Sequence, residues 1–404
     1  MGVKPGYKQT EVGVIPEEWE VVALGATCSM KSGEGITSAN IDQFSQYPCY
    51  GGNGLRGFTS RFTHDGSYAL IGRQGALCGN VLGIEGKFFA SEHAVVVTAH
   101  PQIDIRWLTY VLGEMHLNRF SESSAQPGLS VSKVLKLELA LPPTKDEQRA
   151  IAEALNDVDA MLGALDRLIV KKRDLKLAAM QQLLTGKKRL PGFSGEWEVR
   201  LLAEVCWFQE GPGVRNTQFT SSGIKLLNGT NIFRGVLNLD TTSRFISEKE
   251  AYGPYAHFMA DTGDIVIASS GITIEKFHEK VAFVKDADLP FCMNTSTIRF
   301  KPFTSLLPSF FFQFLTTDNF KRMIGGQATG SAQLNFGPSH IAKVILSLPP
   351  LPEQEAIAAV LADMDAELAA LEQRRNKTRD LKQAMMQELL TGKTHLVSQG
   401  GSHA

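Results

Sequence analysis

The sequence predicts an α+β fold. Two similar strand-rich globular segments alternate with two long helices, which pair as an antiparallel coiled coil and give the chain pseudo-twofold symmetry. Three observations predict this. Residues 147–190 and 353–396 are near-copies, with more than half of the aligned positions identical and no gap, at an offset of 206. A weaker repeat at an offset of 178 carries Glu18-Trp19-Glu20-Val21 onto Glu196-Trp197-Glu198-Val199. It also carries Leu24 onto Leu202, Cys28 onto Cys206, and Gly33 and Gly35 onto Gly211 and Gly213. Finally, each strong copy repeats apolar residues at helical spacing, whereas the segments before it carry short β-branched runs. The two offsets differ by 28, so the second globular segment is the longer by that number of residues.

The elements follow in chain order. Residues 1–144 form the first globular domain. Its strand signals are Tyr68-Ala69-Leu70-Ile71 and Ala94-Val95-Val96-Val97, and 105–117 is predicted as a short helix. Leu141-Pro142-Pro143 closes the domain, since a Pro-Pro step suits the border between an edge strand and a helix. Residues 145–186 are the first long helix. Ile151, Leu155, Val158, Leu162, Leu165 and Ile169 make a narrow seam, and Thr185-Gly186 supplies the stop. Residues 187–350 form the second domain, with strands at Asp264-Ile265-Val266-Ile267 and Ser296-Thr297-Ile298-Arg299-Phe300 and a helix over 308–323. Leu348-Pro349-Pro350 repeats the border. Residues 351–392 are the second long helix, with Ile357, Leu361, Met364, Leu368 and Leu371 as its seam and Thr391-Gly392 as its stop. Residues 393–404 are expected to be a flexible tail.

A helix with an apolar stripe must bury it, and the other copy is the obvious partner. About 38 residues at roughly 1.5 Å each give a rod on the order of 57 Å, long enough to hold two domains apart. The copies differ most where Leu168-Ile169-Val170 stands against Arg374-Arg375-Asn376, so the two helices are expected to meet different surroundings. The shared Arg173, Lys176, Arg379 and Lys382 read either as solvated faces with salt pairs or as a partner-binding surface.

Composition sets bounds. At 404 residues, with 43% hydrophobic and 21% charged content, the chain is an ordinary soluble one of two or three domains. The start carries no apolar leader, and no apolar run approaches the roughly 18 residues needed to span a bilayer. Phe310-Phe311-Phe312-Gln313-Phe314-Leu315 is too short and reads as core. A cytoplasmic location with no membrane partner is expected. The five cysteines form no CxxC pair and read as buried reduced thiols. The net charge of −1 is unusual for a nucleic-acid binder but leaves room for local basic patches.

Catalytic constellations fail on spacing. Gly392-Lys393-Thr394 lacks the preceding glycine of a phosphate loop, where Gln387 stands. His278-Glu279 has no second histidine four residues on. Asp65, Glu85 and Lys87 only loosely imitate a nuclease pattern, and neither Pro-Pro step has the neighbours of an amino-methyltransferase motif. No catalytic residue and no metal ligand is assigned.

The loops are more suggestive. In the first domain Lys31, Asn53, Arg56, Arg61, Arg73, Gln74 and Gln126 sit among glycines and small polar residues. In the second, Arg215, Asn216, Asn228, Asn231, Arg234, Ser269, Ser331 and Gln333 do the same. Arginine reads guanine and Asn or Gln reads adenine in the major groove, while hydroxyls and lysine hold phosphates. For any single one of them, ordinary turn chemistry is the stronger explanation.

Taken together, the order is a Trp-marked start (Trp19, Trp197), a strand-rich domain, Leu-Pro-Pro, Glu147-Gln148 or Glu353-Gln354 with Ile151 or Ile357, and a long helix ending Leu-Leu-Thr-Gly-Lys. This order, repeated once over nearly the whole chain, resembles the DNA specificity subunit of type I restriction-modification systems. The resemblance implies two target-recognition domains, each reading half of a bipartite site in double-stranded DNA. It implies helices that set half-site spacing and dock two methyltransferase subunits for adenine N6 methylation. Restriction subunits, ATP-dependent translocases and nucleases, join that core. The subunit itself would perform no chemistry and hold no cofactor; S-adenosylmethionine, ATP and Mg²⁺ would belong to the partners. Service to a related methyltransferase system with a different nuclease, or a coiled-coil scaffold, remain the alternative readings, with an enzyme bearing its own active site behind them.

Overall fold

The computed structural model describes residues 4–75, 77–121, 128–325 and 333–396. The chain divides into two compact units, one of Met1–Arg167 with Gln373–Ala404, the other of Leu168–Glu372. This division cuts across both long helices, unlike the linear division expected at 144, 186, 350 and 392. Each unit holds one globular segment, the start of one long helix and the end of the other.

In the first unit a six-stranded sheet runs in the order Cys28–Ser32, Ala94–Ala99, His64–Gly72, Val81–Ala90, Tyr47–Gly51, Gly54–Thr59. All pairs are antiparallel except Tyr47–Gly51 with Val81–Ala90, where Cys49 lies opposite Phe89. The run Ala-Val-Val-Val from Ala94 is buried throughout, as β-branched residues fitting a two-sided interior. Glu138–Leu141 pairs with Glu20–Ala23, so Leu141-Pro142-Pro143 follows a strand directly. Trp19, Leu24, Trp107, Leu108, Ile151, Leu155 and Leu389 close one core.

The second unit repeats this plan. Cys206–Glu210, Thr297–Pro302, Ile265–Ala268 and Val281–Phe283 form a four-stranded antiparallel sheet. A parallel pair recurs, with Leu226 opposite Cys292, and Glu198–Leu201 pairs with Ile345–Leu348. One long strand of the first unit, Val81–Ala90, corresponds to two here, Val281–Phe283 and Phe291–Met293, separated by the turn at Asp286–Asp288. Phe310, Phe311 and Phe314 lie in a core shared with Leu183, Ile357 and Leu361.

The long helices span Lys145–Leu183 and Leu351–Leu389. Gly186 and Gly392 follow them with φ of 68° and 69°, the left-handed region that glycine enters without penalty. Within the first unit the pairs Asp159–Lys382 and Asp166–Arg375 run in opposite order along the two helices. Within the second, Lys172–Glu367 and Lys176–Asp365 do the same. The pairing is antiparallel in both. The divergent stretch meets different surroundings as expected: Leu168 and Val170 are exposed and Ile169 buried, whereas Arg375 reaches Asp166.

Three expectations are corrected. The helix expected over 308–323 breaks into Pro308–Leu315 and Asp318–Met323. Thr317 caps the second piece, its Oγ1 accepting from Phe320 N at 3.1 Å, and that bond competes with continuing the first helix. The helix from Ile105 ends at Glu114, because His116 takes a left-handed φ of 47°. The first residues of the expected tail are held, since Lys393 O accepts from the Tyr7 hydroxyl and His395 meets two glutamates, while residues 397–404 lie outside the described residues.

Candidate nucleic-acid interface

The repeated motifs turn out to build the frame rather than the reading surface. In the second unit Glu353, fully buried at the start of its helix, accepts Arg189 Nε and Nη2 at 2.5 Å each. Its Oε2 also accepts Trp197 Nε1 at 3.0 Å, and the Arg189 guanidinium lies 5.5 Å from that ring. In the first unit Glu147 takes the same place. Its Oε1 is 2.9 Å from His395 Nδ1, while His395 Nε2 is 3.5 Å from Glu18 and the imidazole stands edge-on to Trp19. Arg189 and His395 are equivalent positions of the repeat, as are Glu147 and Glu353. Each helix start is therefore clasped by the residue that follows the end of the other copy.

Gln148 and Gln354 do the next job. Gln148 Oε1 accepts from Asp104 N at 2.9 Å, and Gln354 Oε1 from Leu307 N at 2.7 Å. Asp104 and Leu307 are the N-cap residues of the short helices Ile105–Glu114 and Pro308–Leu315. The Gln354 amide then donates to Pro349 O and Ser305 O at 2.8 and 2.9 Å. Glu-Gln thus fixes the long helix to the globular segment at matching places in both units, satisfying backbone groups that a buried helix start would otherwise orphan.

Three of the four partner-binding candidates also hold the helix pairs. Lys176 Nζ is 2.5 Å from Asp365, and Lys382 Nζ 2.7 Å from Asp159, two pairs that are copies of each other under the repeat. Arg173 pairs with Glu372, and Arg379 is exposed.

The loop candidates of the first unit separate by charge state. Arg61 is neutralised by Glu34 at 2.9 Å and lies over Phe89. Arg73 donates to Ser32 Oγ at 3.1 Å, and Gln74 Oε1 meets His93 Nδ1 at 3.2 Å. Among the described residues Lys31 and Arg56 are exposed with no carboxylate partner, and Asn53 stands exposed in its turn. The glycines here are needed for close approach: a Cβ on Gly72 would lie 2.3 Å from Gly52 O. Gln126 and Ser331 lie outside the described residues.

In the second unit two candidates, Asn228 and Asn231, line one polar cleft of about 370 Å³. It is lined by Asn228, Thr230, Asn231, Arg244, Ser270, Lys280 and Ser296 among others, with no acidic residue. Asn231 and Ser269 are buried, unlike the exposed loop positions expected for them. The Asn231 amide instead donates to Asn238 O and Thr241 Oγ1, while its oxygen accepts from Asn228 N. Arg234 is tied to Glu279 at 3.0 Å. Arg215 and Asn216 are exposed, and Gln333 lies in the short strand Gln333–Leu334. Sequence reasoning missed Arg244 and Lys280. Arg244 follows the polar run Asp240-Thr241-Thr242-Ser243, which is not among the loops singled out above, and Lys280 precedes the apolar strand Val281–Phe283.

Among the described residues no group of three or more His, Cys, Asp or Glu could hold a metal ion, and no helix is long and apolar enough to cross a membrane. All five cysteines are buried and free.

Comparison with known proteins places these features. The family described as Type I restriction modification DNA specificity domain matches residues 16–169 and 194–378, one stretch for each copy. The Type I restriction enzyme EcoprrI specificity subunit of Escherichia coli is 42% identical over 163 residues, a match spanning 39% of either chain. The Type I restriction enzyme MjaVIII specificity subunit of Methanocaldococcus jannaschii is 25% identical over 94% of this chain and 93% of its own. The solved S subunit of a type I restriction-modification system from M. genitalium superposes with a TM-score of 0.63, covering 96% of this chain and 98% of its own at 16% identity, which shows a shared fold.

Proposed function

We propose a function on one premise: the chain belongs to the type I restriction modification DNA specificity family. It is a DNA specificity subunit, the target-recognising part of such a system and not a catalytic one. Each globular segment reads one half of a bipartite site in double-stranded DNA. The long helices set the separation of the half-sites and dock two methyltransferase subunits, which methylate adenine at N6. Restriction subunits add ATP-dependent cleavage. S-adenosylmethionine, ATP and Mg²⁺ serve those partners, and the complex works in the cytoplasm, where its DNA is.

One observation supports this reading best. The two units share their clasp, their Glu-Gln anchor and the order of corresponding strands, in one six-stranded sheet in the first and a four- and a three-stranded sheet in the second, yet differ in loops. A frame built twice with unlike surfaces suits the reading of two unlike half-sites. The test is to map N6-methyladenine in the host with and without the gene. A bipartite motif should lose its methylation when the gene is deleted; an unchanged map overturns the reading.

A further inference from the structure

We propose that the polar cleft of the second unit is a phosphate site, which takes one phosphodiester group of the DNA strand; this rests on the function proposed above. The sequence points to base reading here, because Asn228 and Asn231 could pair with adenine. The structure takes both amides away. Asn228 Oδ1 accepts from Asn294 Nδ2 at 2.9 Å and its amide donates to Leu226 O, while Asn231 is buried and bonded throughout. These side chains shape the loop.

What remains for a ligand is cationic and hydroxylic. Lys280 Nζ donates to Ile232 O at 2.8 Å and Gly229 O at 3.2 Å, which leaves one of its three protons. Arg244 lies over the Phe219 ring at 5.4 Å, which holds its guanidinium in place without neutralising it. Of the nearby carboxylates, Asp240 pairs with Lys225, and Glu279 pairs with Arg234 while its charge also reaches Lys280 from outside the cleft. Thr230 and Ser270 offer exposed hydroxyls. Two cations, free hydroxyls and no acid fit an anion with several acceptor oxygens, and they do not fit an adenine edge, which needs an acceptor beside a donor. Burial also holds the Lys280 ammonium below the usual lysine range, a cost that a bound anion offsets.

The test uses the full chain co-expressed with its methyltransferase subunits. The probe is a duplex carrying the motif methylated in that host. Arg244→Gln should reduce the slope of log affinity against log salt by about 0.9 and weaken binding roughly five-fold at physiological salt, with the methylated motif unchanged. Arg244→Lys should keep the slope, and adding Lys280→Gln to Arg244→Gln should lower it again. If the complex methylates and binds no motif, the proposed function fails and this inference with it. If it binds but Arg244→Gln leaves the slope unaltered, the phosphate site alone is overturned. A changed base within one half-site would overturn it too, by making the cleft a base reader.

Discussion

Single residues carry more of the frame than their type suggests. Gly392 and Gly186 end the two helices in the same left-handed conformation, but their surroundings differ. A Cβ on Gly392 would stand 2.6 Å from Pro16 and 3.0 Å from Trp19, whereas on Gly186 the nearest atom, of Trp197, is 3.3 Å away. Gly392→Ala should therefore cost more than the roughly 1–2 kcal/mol of the left-handed conformation alone, and Gly186→Ala about that amount. Thermal melts of the two variants check the order; equal losses would show that the Pro16 contact relaxes freely. The cysteines give a pH signature. Burial pushes the Cys206 and Cys292 thiols up to about 12 and Cys28 to about 11. The folded form thus keeps protons that the unfolded chain releases near pH 9. Stability from these thiols is whole below that value and is lost as pH rises towards 12. Iodoacetamide at pH 8 should label no thiol of the native chain and five after unfolding; rapid native labelling would contradict the burial.

The long helices are the elements on which the two copies depend most. Lys176–Asp365 and Lys382–Asp159 occupy equivalent places, so each pair helps to fix the same antiparallel register in its own unit. Exposed pairs of this kind each contribute little, and more of the hold on the helices comes from Ile151 and Leu155 in the first core and Ile357 and Leu361 in the second. If the helices set the half-site separation, inserting four residues near Ala164 should lengthen the first by roughly 6 Å. The expected outcome is the same two half-sites with a wider spacer, or loss of assembly. Methylation of the original motif with its original spacer would count against that role. The seam was readable from spacing, because a buried stripe leaves a 3.6-residue period in any sequence. The break at Thr316-Thr317 was not, because a threonine cap and an interior threonine look alike until Phe320 N is seen to bond it.

At the scale of the whole molecule the chain makes one frame twice and varies its surface. Replacing residues 1–140 with the corresponding part of another family member should change one half of the methylated motif and leave the other half and the spacer intact. A change in both halves would mean that the segments do not read independently. The order globular, helix, globular, helix was fixed by the sequence itself, since a duplication leaves identical residues at constant offsets whatever the fold. The α+β class followed, because strand and helix periods differ. Tertiary structure alone decided that the compact units exchange helix halves, so that Glu353 meets Arg189 and Glu147 meets His395. It alone decided which polar loop residues are free. Asn231 and Arg244 are both polar residues in loops, and spacing cannot separate them. Hydrogen bonds to Asn228, Asn238 and Thr241 hold the first inside its own loop and leave the second open, and the folding of a loop back on itself leaves no period to read.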